Sequence, residues 1–333
     1  MKELGVFNQL AQLAYIPIYH KLLSGAIELD LFSQLNTPVT AEELAEKKGW
    51  NCSNTGYLLG ALYSLGFLNV KNSKYVNTPE TCKYLSSDSP YYAGGFLMTY
   101  IQEDSAPMNV PKLVREGPDP SAMDQMNQSL DFTQYGESFR AAQRGCRQQE
   151  ILSIIRSLSE NNQIKNLLDI GCNTGLLGLA VVGDSQDRHG VMFDMPPLVP
   201  LIQESAEQMG LSDRIEVKGG NFLTDDIGKE YDLILAVSVM LFAKQNMSEF
   251  LKKLHTALVP GGVVVCVGEG IYPDLSAPWD MIMGYLPYMM QGMDMSVKHG
   301  EIEEAAKSAG FSRIETRTEI LCSGTQDIVI MRK

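Results

Sequence analysis

Short apolar runs alternate with helix-like segments along the second half of the chain, from residue 165 onward. This alternation is typical of a doubly wound, mostly parallel sheet with helices on both faces. We therefore predict an α/β domain with seven strands, near residues 166–170, 190–194, 214–217, 231–237, 262–268, 312–318 and 326–331. The last two strands follow each other closely, so we expect them to form an antiparallel pair at one edge of the sheet.

The first ninety residues show a different pattern, with apolar positions at helical spacing and a short hairpin at the end. Thr40 followed by Glu43 is a capping box, which predicts a helix that begins there. A further helix is predicted near 53–65, and the runs 67–70 and 74–77 flank a polar turn, which is typical of a hairpin. Helices followed by a hairpin form a winged-helix arrangement.

Three parts follow from these patterns. Residues 1–95 form a mainly helical, winged-helix-like domain, and residues 161–333 form the α/β domain. Between them, 96–160 is predicted to be a helical linker and a cover for the active site. Its Pro-, Gly-, Asp- and Met-rich stretch, 116–131, predicts a loop and a short helix over that site, and a long helix near 137–158 leads into the α/β domain.

The charge of the chain argues against two classes of partner. The 333 residues carry a formal net charge of −13, and a strongly acidic protein is a poor partner for nucleic acid or an anionic membrane. The would-be recognition helix, 54–62, contains no basic residue, whereas a DNA reader needs cations for the phosphates. No apolar stretch approaches the roughly 20 residues of a membrane span. We expect neither partner.

The cysteines and the first residues bear on the compartment. No two cysteines form a C-x-x-C pair, so neither a zinc site nor a redox motif is visible. The start of the chain lacks a signal-peptide layout. Scattered free thiols indicate a reducing compartment, and we predict a cytoplasmic protein. The six cysteines are Cys52, Cys82, Cys146, Cys172, Cys266 and Cys322.

Acidic residues end two of the predicted strands and suggest a nucleoside site. Asp169 ends the first strand, and a loop bracketed by Gly171 and Gly175 follows it, where the backbone passes close to a ligand. Asp194 ends the next strand, where a carboxylate accepts hydrogen bonds from ribose hydroxyls. Asn173 replaces the middle glycine of the dinucleotide fingerprint. The acid ahead of the loop repels a phosphate and suits the cationic amino acid part of S-adenosylmethionine (SAM).

Taken together, the motifs of the chain resemble those of the small-molecule, SAM-dependent O-methyltransferases with an N-terminal winged-helix dimerisation domain. The resemblance covers nearly the full length, and it depends on the order and spacing of segments that are weak singly. It implies a homodimer formed through the N-terminal domain. The matching segments are 26–32 with 40–45, 169–175, 193–197, 219–222, 258–262 and 309–311.

The resemblance implies roles for the cofactor site, with SAM as cofactor and S-adenosylhomocysteine (SAH) as product. Asp169 and the backbone at Gly171 face the methionine part, and Asp194 binds the ribose. Asn221 stands where the family has Asp, so an amide oxygen must accept the hydrogen bond from the exocyclic amine of adenine. Phe222 is also explained by core packing. The full set of predicted cofactor-binding residues is Asp169, Gly171, Asn173, Gly175, Asp194, Met195, Asn221, Phe222 and Ser238.

The family's general base, a His after the fourth strand, is missing, because Leu241 occupies its position. One alternative is that another residue supplies the base: His299, near the expected acceptor pocket, or Glu269, which resembles the acid that supports the family His. His20 is a further candidate if it enters a partner subunit's site. Alternatively, an acceptor that is already acidic, or an amine, thiolate or carbanion, needs no base, or the protein binds SAM without transferring methyl groups.

A methionine-rich segment bears on the acceptor. Residues 279–295 contain six methionines, and methionine makes favourable contacts with aromatic rings. A flat, apolar acceptor explains this composition, and so does a helix packed in the core or the dimer interface. The candidates for the acceptor wall are Trp279, Met283, Tyr285, Tyr288 and Met289.

The sequence therefore predicts a SAM-dependent methyltransferase that acts on a small aromatic or polyketide-like acceptor. Oxygen is the leading candidate for the methylated atom. Transfer to nitrogen, sulfur or carbon is the alternative within this class. A SAM-binding protein without transferase activity and a winged-helix regulator are alternatives from other classes.

Overall fold

The structure is a computed structural model that describes residues 11–101, 109–119, 136–137, 139–140 and 143–333. The chain divides into two compact units, Met1–Ser105 and Ala106–Lys333. The predicted cover, 116–131, lies mostly outside the described residues, and the predicted three-part division stays a prediction. Within the described residues, no helix combines the length and the apolar character that crossing a membrane requires.

The first unit contains helices around a two-stranded hairpin. The Thr40 hydroxyl accepts a hydrogen bond from the Glu43 amide, and the Glu43 carboxylate accepts one from the Thr40 amide, so the predicted capping box is confirmed. The hairpin pairs Leu68 with Asn77. The elements are α1 (Ile16–Glu28), a 3-10 helix (Phe32–Leu35), α2 (Ala41–Lys48), α3 (Cys52–Ser64), β1 (Leu68–Lys71), β2 (Lys74–Asn77), α4 (Pro79–Leu85) and α5 (Gly94–Ile101).

The second unit is an α/β domain with seven strands in one sheet. Its helices are α6 (Val110–Glu116), α7 (Gln148–Arg156), α8 (Leu176–Gly183), α9 (Val199–Gln208), α10 (Met247–Ala257), α11 (Trp279–Met290) and α12 (Glu301–Ala309). Its strands are β3 (Asn166–Ile170), β4 (His189–Asp194), β5 (Ile215–Gly219), β6 (Tyr231–Val237), β7 (Leu258–Gly268), β8 (Arg313–Leu321) and β9 (Gly324–Arg332).

The strand order is β5-β4-β3-β6-β7-β9-β8, in which β9 pairs antiparallel with both of its neighbours and the other pairs are parallel. The predicted fold class and the antiparallel edge pair are confirmed. The chain leaves β3 for β4 on one side and later returns to β6 on the other. In open α/β sheets, a ligand binds at the carboxyl ends of strands at such a switch point.

The core lies on both faces of the sheet. Successive residues of β3 alternate between the two sides: Leu167 belongs to one buried apolar cluster and Leu168 to the other. Helix α8 is buried along nearly its whole length, which agrees with its run of apolar residues and fixes the end of the loop that precedes it. Of the long helix predicted near 137–158, the described residues 137, 139–140 and 143–156 are helical: a π-helical turn (Gln143–Arg147) leads directly into α7, which ends at Arg156.

The prediction of six free thiols was wrong, because Cys146 and Cys322 form a disulfide. They are 176 residues apart, so no local motif reveals the pair. Cys146 lies in the π-helical turn, and Cys322 lies in the turn between β8 and β9. The cytoplasmic location stays a prediction. The disulfide weakens the argument from free thiols, since disulfides are rare in reducing compartments.

Reducing this disulfide is expected to lower the free energy of unfolding by about 2–4 kcal/mol, because the bond restricts a long loop of the unfolded chain. Denaturant titration of Cys146→Ser measures the effect, and Cys52→Ser is the control, since Cys52 is an exposed, free cysteine. Thiol titration of the unfolded, unreduced protein should find the four cysteines that are free. A count of six would contradict the pairing.

Candidate active site

The loop after β3 is shaped by backbone conformations that favour glycine. Gly171 and Gly175 have φ of +66° and +76°, and Asn173 between them has φ of +55°. The Gly171 amide donates to the carbonyl oxygen of Phe193 at 2.8 Å, which ties the loop to β4. Helix α8 begins directly after Gly175. The loop therefore turns sharply at the carboxyl end of β3, as its glycine spacing predicts.

Asp169 lies buried beneath this loop. One of its carboxylate oxygens, Oδ2, accepts a hydrogen bond from the Gly178 amide at 2.8 Å. Burial raises the pKa of Asp169 to about 8, and the negative charge of Asp194 contributes in the same direction. A Cβ at Gly178 would lie 2.6 Å from the Asp169 Cβ, so only glycine lets α8 approach the strand this closely. Gly178 therefore positions the acid.

Asp194 joins the same loop from β4. Its two carboxylate oxygens accept hydrogen bonds from the Asn173 and Met195 amides, each at 2.6 Å. Burial raises the pKa of Asp194, and these two hydrogen bonds oppose that shift. A carboxylate has about four lone-pair sites, so both oxygens retain capacity for ligand hydroxyls. Next to this pair, the buried Oδ1 of Asn173 has no hydrogen-bond partner among the described residues.

Two further predicted cofactor residues, Phe222 and Ser238, differ in how the structure places them. Phe222 is buried, and one edge of its ring lies 3.5 Å from where a Gly171 Cβ would be. The same ring packs against Phe250 at 5.9 Å between centroids, so Phe222 is a core residue that also lies beside the loop, and its contact with adenine stays a prediction. Ser238 directly follows β6 with φ of +55°, and its amide donates to the Val267 carbonyl.

Asn221 has a contact that the sequence did not reveal. Its side chain is exposed, and its Oδ1 accepts a hydrogen bond from the Leu223 amide at 3.0 Å. The amide oxygen predicted to meet adenine is therefore already engaged in a turn, although a second lone pair remains. Met195, beside Asp194, is half-buried.

The two candidate catalytic residues lie at the same edge of the sheet, past the end of β7. Glu269 is buried and accepts a hydrogen bond from the Tyr285 hydroxyl of α11. His299 precedes α12, and its Nδ1 lies 2.6 Å from Oδ2 of the buried Asp327. Asp327 was missed in the sequence because β9 brings it to this edge only through antiparallel pairing with β7.

Leu241, which the sequence resemblance places where the family has its His, lies in a 3-10 helix, Met240–Asn246, after β6. It is half-buried and packs against one of the two core clusters. Leucine therefore has a packing role here, and its side chain has no atom that accepts a proton.

The predicted acceptor wall lies on α11, whose aromatic and methionine side chains are largely open. Trp279 is 76% exposed, and Met283 and Tyr288 are 50% and 38% exposed. Tyr285 and Met289 are half-buried. Ile282 is the buried residue of this helix, so packing in the core of this unit does not account for its composition. His20 is exposed on α1 of the first unit.

Comparison with known proteins identifies the family. Residues 131–312 match the O-methyltransferase domain, and residues 3–87 match the O-methyltransferase dimerisation domain. The chain belongs to the O-methyltransferase family. It is a SAM-dependent methyltransferase, as predicted, and its cofactor is SAM.

Similar proteins within and around this family act on different atoms. The chain is 25% identical to the N,N-dimethyltransferase OxyT of Streptomyces rimosus, over 88% of each chain. It is 24% identical to the tetracenomycin polyketide synthesis 8-O-methyl transferase TcmO of Streptomyces glaucescens, over 94% of this chain and 93% of that one. The fold of human N-acetylserotonin methyltransferase, solved in complex with SAM, superposes with a TM-score of 0.77 at 19% identity, over 98% and 97% of the two chains.

The residues around the loop fit SAM. Asp169, Asp194 and the unpartnered Oδ1 of Asn173 place hydrogen-bond acceptors together at the switch point. A ligand with a positively charged amino acid part and two ribose hydroxyls supplies the matching cation and donors. The roles of the individual residues stay predictions.

Cofactor binding at pH 7 is expected to release close to one proton. Asp169 has a pKa of about 8 in the cofactor-free protein, so it is mostly protonated at pH 7, and a bound cation beside it favours the carboxylate. Calorimetry of SAM binding in two buffers of different ionisation enthalpy measures this release, which Asp169→Asn should abolish.

The same pKa predicts how stability depends on pH. Because the folded pKa of Asp169 exceeds its ordinary value of 3.8, its contribution to stability is lost as the pH rises toward about 8. Between pH 6 and 8, the unfolding free energy of the cofactor-free protein should therefore fall more steeply in the wild type than in Asp169→Asn. Equal slopes would contradict the assignment.

Proposed function

We propose that this methyltransferase transfers a methyl group to an oxygen atom of a small aromatic or polyketide-like acceptor, and that it works as a homodimer. The observation that carries the proposal is the set of exposed aromatic and methionine side chains on α11, a helix that is joined to the sheet edge by the Tyr285–Glu269 hydrogen bond. Side chains of this helix offer a flat apolar molecule a wall near the end of β7, at the same edge as the cofactor loop.

When bound, SAM supplies an electrophilic methyl group on a positively charged sulfur. The chain contributes binding and orientation: Asp169 and Asp194 hold the methionine part and the ribose of the cofactor, and Trp279, Met283 and Tyr288 contact the acceptor. Holding two reactants in line accounts for a large part of the rate of such a transfer. Glu269 fixes Tyr285, and with it one side of the acceptor wall.

One relative supports the proposed acceptor, and another supports a second candidate. TcmO acts in polyketide synthesis at an oxygen, which agrees with a flat aromatic acceptor. OxyT is an N,N-dimethyltransferase, and Leu241 replaces the family base, so transfer to nitrogen is the second candidate. An amine nucleophile uses a free lone pair and needs no base before the transfer.

Features of the first unit support the proposed homodimer. Residues 3–87 match a dimerisation domain, and apolar side chains before and along α1 are exposed, including Tyr15, Ile16, Ile18 and Tyr19. A contiguous exposed apolar surface marks an interaction site. His20 lies in the same stretch, and its entry into a partner subunit's site stays part of this proposal.

The function is tested with radiolabelled SAM and paired acceptors: naphthols and hydroxyanthraquinones, and the matching aryl amines. The methylated atom is located by NMR of the product. Transfer to phenolic oxygen supports the proposal, and transfer to the amines alone supports the second candidate. SAM binding without transfer to any acceptor would refute the proposed acceptor class. Sedimentation of the wild type and of Ile18→Glu tests the homodimer.

A further inference from the structure

We infer that His299 and Asp327 form the base that replaces the missing family His, with His299 as the catalytic residue and Asp327 as its positioning residue. The inference rests on the proposed transfer to oxygen, since a phenolic hydroxyl must lose a proton near the transition state. No sequence motif marks Asp327.

Two contacts hold the imidazole of His299, and a third fixes its backbone. Its Nδ1 lies 2.6 Å from Asp327 Oδ2, and its ring stacks on Tyr272 with centroids 4.5 Å apart and an interplanar angle of 5°. The backbone amide of His299 donates to the Ile271 carbonyl at 2.9 Å. A side chain fixed in this way loses little freedom when it reacts, which favours an active-site role.

The partner sets the tautomer of the ring. A carboxylate accepts hydrogen bonds, so Nδ1 carries the proton and Nε2 is left as an acceptor. The other oxygen of Asp327 accepts a hydrogen bond from the Thr318 hydroxyl at 2.6 Å, which fixes the carboxylate in turn. The His299 side chain keeps 32% of its surface exposed, whereas that of Asp327 keeps 5%. A buried acid that orients a partly exposed imidazole is the arrangement of a general base.

The surrounding backbone is built to admit this pair. A Cβ on Gly270 would lie 2.2 Å from Asp327 Oδ2, and Gly270 has φ of +59°. Glycine at this position therefore leaves room for the carboxylate. The pairing of Gly268 with Asp327, and the bridge between Ile271 and Lys298, bring the β9 residue and the loop before α12 to the end of β7.

The position of His299 and Asp327 implies that the base approaches the acceptor from a different side than a His at position 241 would. Neighbouring strands lie about 4.8 Å apart, and one strand separates β9 from β6. The strand that carries Asp327 is therefore roughly 10 Å along the sheet edge from the strand that Leu241 follows. Glu269, one residue from Gly270, lies between them and is already engaged by Tyr285. The acceptor wall and the proposed base thus meet at the end of β7.

The proton transfer balances without another reactant. The O–H bond of the acceptor breaks, an Nε2–H bond forms, and the electron pair of the O–H bond stays on the oxygen that takes the methyl group. The resulting imidazolium is stabilised by the Asp327 carboxylate. Charged or titratable groups around the ring include Tyr272, which stacks on it, and Lys298, which contacts Glu301 and Asp294. Solvent accepts the proton from the exposed part of the ring.

The test compares His299→Gln, Asp327→Asn and the control His189→Gln, whose histidine is exposed at the start of β4. With a naphthol acceptor, His299→Gln should lower kcat about 10²–10⁴-fold. Asp327→Asn should lower kcat at least about tenfold through the lost orientation. The KM for the naphthol and the Kd for SAH should stay within about threefold of the wild type, and His189→Gln should behave as the wild type.

Acceptors of different acidity distinguish a catalytic role of His299 from a purely structural one. Across naphthols of decreasing acidity, the loss in His299→Gln should grow, and added imidazole should restore part of the activity of His299→Ala. A uniform loss without rescue, or a kcat in His299→Gln within threefold of the wild type, overturns the inference. If Asp327→Asn fails to bind SAH, Thr318→Val replaces it, and a lowered kcat with unchanged SAH binding is expected.

Different results would refute the proposed transfer to oxygen and the proposed base. A wild type that methylates naphthols while His299→Gln does so equally well refutes the base and leaves the proposed function standing. A wild type that binds SAH and methylates no phenol refutes the oxygen acceptor and the base together.

Discussion

Asp194→Ala is expected to weaken SAH binding at least about 100-fold. Hydrogen bonds to a charged group contribute about 1.5–3 kcal/mol each, and the predicted ribose contact involves two hydroxyls, whereas a factor of ten corresponds to about 1.4 kcal/mol. The substitution also leaves the Asn173 and Met195 amides without the carboxylate that holds them. The loop therefore loses its shape as well as its ligand contact.

Calorimetric titration with SAH measures the loss, and two variants separate its causes. Asp194→Asn keeps the shape and one acceptor oxygen, so an intermediate affinity is expected. Asp213→Ala removes an exposed acid ahead of β5 and should bind as the wild type does. If Asp194→Ala bound SAH within fivefold of the wild type, the ribose contact would have to be assigned to another residue.

The cofactor loop was predictable from the sequence because its determinants are local. Gly171 and Gly175 set the turn through their own φ angles. Asp169 is the penultimate residue of β3 and Asp194 the last residue of β4, and the apolar runs of both strands are visible in the sequence. Once the strands are parallel neighbours, the two acids must meet at one edge. The capping box at Thr40 was predictable for the same reason, since both partners lie within one turn of helix.

The parts that were missed depend on contacts between distant segments. Cys146 and Cys322 meet only because the β8–β9 turn approaches the π-helical turn. Asp327 faces His299 only because β9 runs antiparallel to β7, and the register of that pairing is not written in either segment alone. Such placements arise from the tertiary fold, so residue type and spacing leave them open.

Gly178 shows a third case, in which the residue was visible but its role was not. In the sequence it is a glycine too late for the dinucleotide fingerprint. In the structure it lets α8 lie against Asp169 and donates the hydrogen bond to that acid. The need for glycine comes from the distance between a helix and a strand, which the sequence does not give.

Gly171→Ala is expected to lower the unfolding free energy by about 3 kcal/mol, and to weaken SAH binding at least about tenfold. The left-handed backbone costs a non-glycine residue roughly 1–2 kcal/mol, and overpacking a core costs a further 1–3 kcal/mol or so. Here the added Cβ would lie 2.3 Å from Val239 Cγ1, so the loop or the segment after β6 must move. Either movement displaces the cofactor site.

Gly210→Ala is the matched control, because Gly210 has the same φ of +66° and a Cβ there meets no atom within 4 Å. It should pay the backbone cost of about 1–2 kcal/mol alone and leave SAH binding unchanged. Denaturant titration and calorimetry on both variants separate the strain of the turn from the close approach of Val239. Equal losses in the two variants would mean that backbone conformation alone makes glycine necessary at position 171, and that the approach of Val239 has no part in shaping the site.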